Sequence, residues 1–175
     1  MKNNMSNAFL ELAGKRFSCR EFDSRPVSGS DVSKILDAAR LAPTARNMQP
    51  VHVWALRSED ALSRIRPLHT LFDAPLVFMV GYKADEAAVR NCDGKNWGDT
   101  DASIVGTHLM LEAADLDLGC TWVGSFDPAK VLEAFPETEG YEVTALFAVG
   151  YPAVNAEPSE RHSIRKGMEE FATEL

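Results

Sequence analysis

The segment at residues 101–118 constrains the fold more than any other part of this sequence. It has the longest helical periodicity in the chain, and apolar residues cover more than one face of the expected helix; they are Ile104, Val105, Leu109, Leu111 and Ala113. A helix on a protein surface needs only one apolar stripe, so this helix needs neighbours on several sides. The pattern predicts a central helix or a contact between subunits, ended near Gly119.

Size and charge narrow the class of protein. A chain of 175 residues, 45% hydrophobic and 25% charged, is typical of one globular domain, which we place over residues 1–175 because no linker, repeat or biased tract divides it. Its 18 basic and 26 acidic residues give a net charge of −8. A field of this sign repels phosphate backbones and anionic lipids, so neither nucleic acid nor a membrane is an expected partner.

Cysteine usage and the N-terminus indicate the compartment. Cys19, Cys92 and Cys120 are odd in number and widely spaced, which is typical of reduced thiols and not of a zinc site. The N-terminal segment is too polar for a signal peptide, and no apolar run approaches the roughly 18 residues of a membrane span. We therefore expect a cytoplasmic protein without a bound metal.

Local patterns predict alternating helices and strands. Helices are expected over residues 5–15, 32–42, 58–66, 101–118 and 163–175, with another that starts at Asp127 and Pro128. Strands are expected over residues 51–56, 76–82, 120–123 and 142–149. The polar stretch at residues 83–98 is long enough to form a mobile lid. By itself, such alternation usually indicates a parallel, doubly wound sheet.

Two cationic clusters stand out in this acidic chain. Arg16 and Arg20 flank Ser18 near the N-terminus, and Arg161, Arg165 and Lys166 lie in a stretch without an acidic residue near the C-terminus. An arginine fork and a serine hydroxyl suit a phosphate monoester. Solvated surface charge is the alternative interpretation of either cluster alone.

A segment between two prolines, Pro43 and Pro50, adds side-chain amides. Asn47 and Gln49 can both donate and accept hydrogen bonds, which suits the edge of a heteroaromatic ring, although an Asx-type turn would use the same residues. Gly124, after the strand at 120–123, could bring bare backbone close to a flat ligand. No phosphate-binding glycine loop, nucleophile elbow or zinc-protease motif is present.

Taken together, these blocks resemble the nitroreductase family of FMN-dependent NAD(P)H oxidoreductases, over about residues 9–168. The resemblance rests on residues 16–22 (RFSCREF), 42–50 (APTARNMQP), Asp101, 119–124 (GCTWVG), 149–152 (VGYP) and Arg161. It implies an α+β sandwich in which helices surround a central, mostly antiparallel sheet, within an intertwined homodimer that holds two flavins at its interface. This expectation overrides the parallel sheet that the alternation alone would suggest.

The resemblance also assigns roles to residues near the two chain ends. Arg16 and Ser18 resemble ligands of the flavin phosphate and ribityl chain, with Phe17 between them. Arg161 resembles the C-terminal phosphate ligand, and Arg20 the basic residue beside the pyrimidine edge of the ring. The family often has a second basic residue close to the position of Arg161, and here His162, Arg165 or Lys166 must supply it.

Two further segments resemble the ring-binding parts of the family. Pro43, Thr44 and Ala45 would line the ring and its chain, and Asn47, with Gln49 nearby, would hydrogen-bond the ring from the neighbouring subunit. Val123 and Gly124 would pass along the N5 side of the flavin.

The implied activity transfers hydride from NADH or NADPH, through flavin N5, to a small aromatic acceptor such as a nitroarene or quinone, with ping-pong kinetics. No side chain is expected to act as a catalytic acid or base, because the flavin carries the chemistry. Trp97 could stack on the acceptor, with core packing as the alternative. A flavin carrier without turnover, a flavin reductase or dehalogenase, and a phosphate-ligand sensor remain alternatives.

Overall fold

The computed structural model describes residues 7–175, which form one four-stranded sheet and six α-helices. The helices are α1 (Ala8–Lys15), α2 (Gly29–Arg40), α3 (Glu59–Ile65), α4 (Gly98–Asp115), α5 (Pro128–Ala134) and α6 (Met168–Phe171). The strands are β1 (Val51–Leu56), β2 (Leu76–Tyr82), β3 (Gly119–Val123) and β4 (Glu142–Gly150). No helix within this described part is long and apolar enough to cross a membrane.

The sheet has the strand order β1-β2-β4-β3, and every neighbouring pair is antiparallel. Val51 lies opposite Tyr82, and Leu76 lies opposite Val149. All seven residues of β2 are buried, which explains why this strand is apolar throughout instead of alternating. The antiparallel α+β arrangement confirms the expectation from the family resemblance, and the parallel sheet suggested by alternation alone is wrong.

The two faces of the sheet bury separate cores. Phe78 and Val80 of β2 face a core that includes residues of α2 and α4, whereas Val77 and Met79 face one that includes residues of α3 and α5. This alternation follows from the two-residue period of a strand. The result is a sandwich of helices on both sides of the sheet, as the resemblance implies.

The helix α4 packs against α2, α1 and all four strands. Its start is three residues earlier than the apolar pattern predicted, because its first turn is built from polar residues and Gly98. Gly106 permits a close approach to the sheet, since a Cβ there would lie 2.4 Å from Cζ of Phe147. The prediction of a central helix is confirmed, and a subunit contact along it stays a prediction.

Side-chain caps begin α2, α3 and α5, and α2 starts at Gly29, three residues before the expected range of 32–42. Ser28 accepts a hydrogen bond from Asp31 N, Ser58 from Ala61 N, and Asp127 from Ala129 N. The first helix begins after an Asn7 cap, and residues 5 and 6 of the expected helix lie outside the described residues.

The helix expected over residues 163–175 is wrong. Only the four residues of α6 are helical there, and none of them is buried. Isolated helices this short are unstable without tertiary packing, so the apolar spacing alone does not form a long helix. Residues 83–98 form a folded-back turn, in which Val89 bridges Asn96 and the Asn96 side chain donates to Ala84 O at 2.8 Å.

Candidate functional site

The two cationic clusters meet in one cavity of about 250 Å³, which we call the anion pocket. Its lining residues are Arg16, Ser18, Arg20, Ser159, Arg161, His162 and Arg165. Segments separated by about 140 positions in the chain therefore converge, and a phosphate bound between them stays a prediction. Of the three candidates for the second basic residue, His162 and Arg165 line the pocket, and Lys166 is not among its lining residues.

The N-terminal wall of the pocket is held against β3. Ser18 and Cys120 form a parallel bridge, Cys19 N donates to Cys120 O at 3.2 Å, and the Thr121 hydroxyl donates to Cys19 O. Gly119 makes this approach possible, because a Cβ there would lie 2.6 Å from Sγ of Cys19. The strand thus fixes the backbone that carries the arginine cluster.

The C-terminal wall returns along the same segment. After β4, Ala153 N donates to Glu21 O at 3.0 Å, and a 3₁₀ turn spans Glu160–Ser163. Nε2 of His162 lies 3.2 Å from Gly14 O, at the end of α1. These contacts bring Arg161 beside the N-terminal cluster.

The arginines of the anion pocket have no carboxylate partner within residues 7–175. Arg20 donates to Ser18 O at 3.2 Å, Arg165 donates to Ile164 O at 2.7 Å, and Arg16 approaches Sδ of Met110 at 4.0 Å. An adjoining surface recess also contains Glu160, together with Arg20, Ser159 and Arg161. The pocket is therefore strongly cationic and suits a dianionic group such as a phosphate monoester.

Two thiols lie behind the pocket. Burial raises the pKa of Cys120 to about 12, and burial also raises the pKa of Cys19. Both thiols stay protonated at neutral pH, so neither is an activated nucleophile. Phe17 does not line the anion pocket but a neighbouring cavity, which it shares with Lys15, Arg16 and Cys120.

The second predicted segment, residues 43–50, is shaped by its backbone, and we call it the amide loop. Arg46, Asn47 and Gln49 have left-handed φ values of 54°, 56° and 53°. Glycine adopts this conformation readily and asparagine tolerates it, so the left-handed Arg46 and Gln49 indicate strain. Thr44 Oγ1 accepts from Gln49 N at 3.0 Å, and Thr44 O accepts from Asn47 N at 2.9 Å, which closes the loop on itself.

The amide loop is tied to α4 by a residue that sequence reasoning did not assign to the site. Ala45 N donates to Oδ1 of Asp101 at 2.8 Å, and Asp101 is only 1% exposed. The available signal was an acidic residue in the first turn of a helix that is otherwise apolar on several faces. A buried carboxylate in such a position needs a hydrogen-bonding partner, and the loop supplies one.

A second cavity of about 250 Å³ lies beside the amide loop. It lies between α2, α4 and β1, and its lining residues are Leu36, Ala39, Arg40, Ala42, Thr44, Gln49, Val51, Val53 and Val105. Most lining residues are apolar, and Arg40, Thr44 and Gln49 are the polar ones, which suits a flat ring with a polar edge. It shares no lining residue with the anion pocket, so one chain does not unite the two predicted halves of the site.

The remaining predicted residues occupy different settings. Val123 is buried in the core shared with α3 and α5, whereas Gly124 is exposed at the end of β3. Trp97 is half-buried just before α4, with Nζ of Lys95 at 4.5 Å and Cζ of Arg90 at 5.3 Å from its ring centroid. Cations already contact this ring, which constrains any stacking on a substrate.

Comparisons with known proteins agree with this fold. The sequence profile of the nitroreductase family matches residues 13–70 and 67–151. A nitroreductase family protein of Clostridium difficile 630 superposes with a TM-score of 0.88 at 35% identity, covering 94% of this chain and 96% of that one. A protein of Methanothermobacter thermautotrophicus, whose name proposes an NADH dehydrogenase or NAD(P)H nitroreductase, is 29% identical over 154 residues, which are 83% of this chain and 78% of the relative.

A further solved structure carries the flavin. A protein of Exiguobacterium sibiricum 255-15, crystallised in complex with FMN, superposes with a TM-score of 0.82 at 21% identity, covering 95% of this chain and 97% of that one. At this identity the likeness concerns the fold. Because the family profile matches most of the chain and the fold agrees throughout, this chain belongs to the nitroreductase family.

Proposed function

We propose that this protein is an FMN-dependent oxidoreductase that takes hydride from NADH or NADPH and passes it to a small aromatic acceptor. The observation that carries the proposal is the anion pocket, where Arg16, Arg20 and Arg161 converge without a carboxylate partner within the described chain. The FMN complex of the Exiguobacterium protein and the names of the relatives support the choice of ligand and reaction. Three free cysteines support a cytoplasmic location.

The residues present fit the phosphate end of FMN. In the proposed site Arg16, Ser18 and Arg161 would hold the phosphate and ribityl chain, and His162 or Arg165 would complete the charge. A phosphate dianion in a pocket of unpaired arginines forms charge-assisted hydrogen bonds, which are the strong class. Arg20, at the exposed rim, would lie beside the pyrimidine edge of the ring.

The ring-binding residues point to a second copy of the chain. Pro43, Thr44, Ala45, Asn47 and Gln49 lie on the amide loop, apart from the anion pocket of the same chain. We therefore propose a homodimer in which the amide loop of one protomer faces the anion pocket of its partner, with Val123 and Gly124 near the N5 side.

The C-terminal arm, which we define as residues 164–175, supports an intertwined dimer. Ile164, Met168 and Phe171 are 69%, 71% and 78% exposed, and α6 buries none of its residues. Apolar side chains at this spacing and exposure suit a contact with another protein surface. The arm follows Arg161, so its placement on a partner would also help to fix the anion pocket.

The chain contributes position and charge to the reaction. When bound, FMN would supply the redox chemistry, as a carrier of hydride between NAD(P)H and the acceptor. Arg20 would favour negative charge at the pyrimidine edge of the ring. The amide loop orients the ring, and no side chain needs to act as acid or base. Because donor and acceptor use the same ring face in turn, we expect ping-pong kinetics.

Trp97 is proposed to contact the acceptor. Its ring lies beside the turn that contains Lys95, and Asn91 of that turn accepts from Arg46 of the amide loop at 3.5 Å. Replacement of Trp97 by Ala should change the ratio of kcat/KM values for nitroarene and quinone acceptors and leave the amount of bound flavin unchanged. An unaltered acceptor ratio would remove Trp97 from the site.

Anaerobic titration of the purified full-length protein tests the function. We expect a yellow protein whose flavin absorbance bleaches with NADH or NADPH and returns with a nitroarene or quinone, and parallel double-reciprocal plots with both substrates. A yellow protein that does not bleach would be a flavin carrier. A colourless protein that takes up no FMN would indicate a sensor of another phosphate ligand and would refute the proposed oxidoreductase. Comparison of the bleaching rates gives the preferred nicotinamide.

A further inference from the structure

Asp101 is a buried acid that the proposed chemistry does not use. It lies in the first turn of α4, is 1% exposed, and forms no ion pair within the described part of the chain. A buried carboxylate without a cation is costly, and the positive end of the helix offsets only part of this cost. A residue kept at such a cost needs a reason in the structure.

The two carboxylate oxygens of Asp101 differ. Oδ1 accepts the backbone N–H of Ala45 at 2.8 Å, across 56 positions of sequence. Oδ2 is buried and has no hydrogen-bond partner among residues 7–175. The carboxylate is therefore half satisfied, and its visible role is to grip the amide loop.

The amide loop that Asp101 holds has a strained backbone. Arg46, Asn47 and Gln49 hold left-handed backbone conformations, which asparagine tolerates but which are unfavourable for arginine and glutamine. The bonds centred on Thr44 close the loop on itself but do not fix it to the fold. Towards the rest of the fold, the bond of Ala45 to Asp101 is short at 2.8 Å, and that of Arg46 to Asn91 is long at 3.5 Å. Lys83 N also donates to Pro50 O at 3.0 Å, but only at the far end of the loop, so the Asp101 bond is the short one beside the left-handed residues.

We propose that Asp101 is a positioning residue: its carboxylate holds Ala45 so that the strained amide loop presents Asn47 and Gln49 in one fixed arrangement to the flavin ring. The inference deepens the proposed function and rests on it for the identity of the ring. It assigns to Asp101 no contact with FMN and no proton transfer. Removing the grip should loosen the loop and weaken ring binding, while the distant anion pocket keeps its affinity for phosphate.

The test uses Asp101→Ala, Asp101→Asn and the control Asp99→Asn in the full-length protein. Asp99 lies in the same first turn but is exposed and accepts from Thr144 Oγ1 at 3.0 Å. Amide hydrogen exchange at Ala45, measured without FMN, reports on the hydrogen bond from Ala45 N to Asp101. In Asp101→Ala we expect this exchange to accelerate about tenfold or more, since a charge-assisted bond is lost. Asp99→Asn should leave it unchanged.

Flavin titrations then read the position of the loop. Asp101→Ala should weaken riboflavin and FMN by the same factor, about tenfold, because both contain the ring and only FMN contains the phosphate. Asp101→Asn should recover most of both readouts, since its amide oxygen can still accept from Ala45. It also removes the unpaired charge, so its thermal stability should equal or exceed that of the wild type.

Several results would overturn the proposal. One is Asp101→Ala with unchanged Ala45 exchange and flavin affinity; another is loss of FMN binding with retained riboflavin binding, which would place the effect at the phosphate. If Asp101→Ala does not fold, Asp101→Asn decides: equal losses of stability and affinity would mean a purely structural acid. Failure of the wild type itself to bind FMN would refute the proposed function, and Ala45 exchange would still decide the grip.

Discussion

The anion pocket and the amide loop serve one proposed ligand by different physical means. The pocket is an assembly of long, partly exposed arginine side chains from both ends of the chain, with few hydrogen bonds to hold them. The loop is a short backbone segment with three left-handed residues and a buried tether at Asp101. Charge defines the first region, and backbone shape defines the second.

This difference separates affinity from orientation. A cationic pocket attracts an anion over several ångströms and tolerates small shifts of its side chains. Hydrogen bonds to a ring edge depend strongly on distance and angle, so the groups that make them need a rigid support. We infer that the pocket supplies most of the binding energy and that the loop fixes the ring.

The largest expected effect comes from removing two positive charges from the anion pocket. Arg16→Ala combined with Arg161→Ala should weaken FMN about 100-fold, since each removed charge-assisted bond contributes about 1.5 kcal/mol or more. Riboflavin should weaken little, because it has no phosphate. Fluorescence titration of both flavins gives the two dissociation constants.

Arg57→Ala is the control for this pair, because it removes an exposed arginine outside the pocket. It should leave both dissociation constants within about twofold of the wild type, as is usual for surface charges far from a ligand. Equal weakening of FMN and riboflavin in the double variant would contradict the assignment of the phosphate to this pocket.

The dependence of FMN affinity on ionic strength should distinguish the anion pocket from the amide loop, with a smaller effect than the loss of two arginines. The effect of Arg161→Ala on FMN affinity should shrink several-fold between about 0.1 M and 1 M salt, as the Debye length falls from roughly 10 Å to 3 Å. The effect of Asp101→Ala should stay constant, since a buried hydrogen bond to a backbone N–H is hardly screened. Titrations of each variant against the wild type at both salt concentrations measure this, and a common salt dependence would erase the distinction.

The sequence anticipated the charge-defined region better than the shape-defined one. Side-chain types announce an anion site wherever the fold brings them together, and Arg16 and Arg161 do meet in the structure. The left-handed backbone at Arg46 and Gln49 left no such trace, because neither residue type favours that conformation. The Asp101 tether spans 56 positions and was equally hidden.

A similar contrast holds for the fold. Strand limits at Val51–Leu56 and Leu76–Tyr82 were predicted to the residue, since polar or proline positions bound them. Strand direction was not, because alternation of helices and strands does not encode it, and only the family resemblance gave the antiparallel sheet. Apolar spacing in residues 163–175 predicted a helix where the chain lacks a surface to pack on.

The free energy of unfolding should fall at alkaline pH because of the buried Cys120 thiol behind the anion pocket. Burial raises the pKa of Cys120 from 9.0 to about 12, so the unfolded chain releases its thiol proton first as pH rises. The contribution of this thiol to the free energy of unfolding is fully present below pH 9 and is lost as the pH rises from 9 to 12. Between pH 8 and pH 10 the free energy of unfolding should fall by about 1 kcal/mol. Urea unfolding of the wild type and Cys120→Ala at both values tests this. The variant should have a shallower decline, and parallel declines would exclude Cys120 as the cause.

The smallest effect concerns strain in the amide loop. Arg46 has φ of 54° and ψ of 19°, where a Cβ is unfavourable by about 1 kcal/mol, whereas glycine there costs mainly extra chain entropy. Arg46→Gly should therefore raise the free energy of unfolding by about 0.5 kcal/mol in urea titrations. Lys34→Gly removes the same charge from the interior of α2 and should lower it by about 1 kcal/mol. Destabilisation by both changes would show that contacts of the Arg46 side chain outweigh its backbone strain, and that the loop is fixed by more than the Asp101 grip.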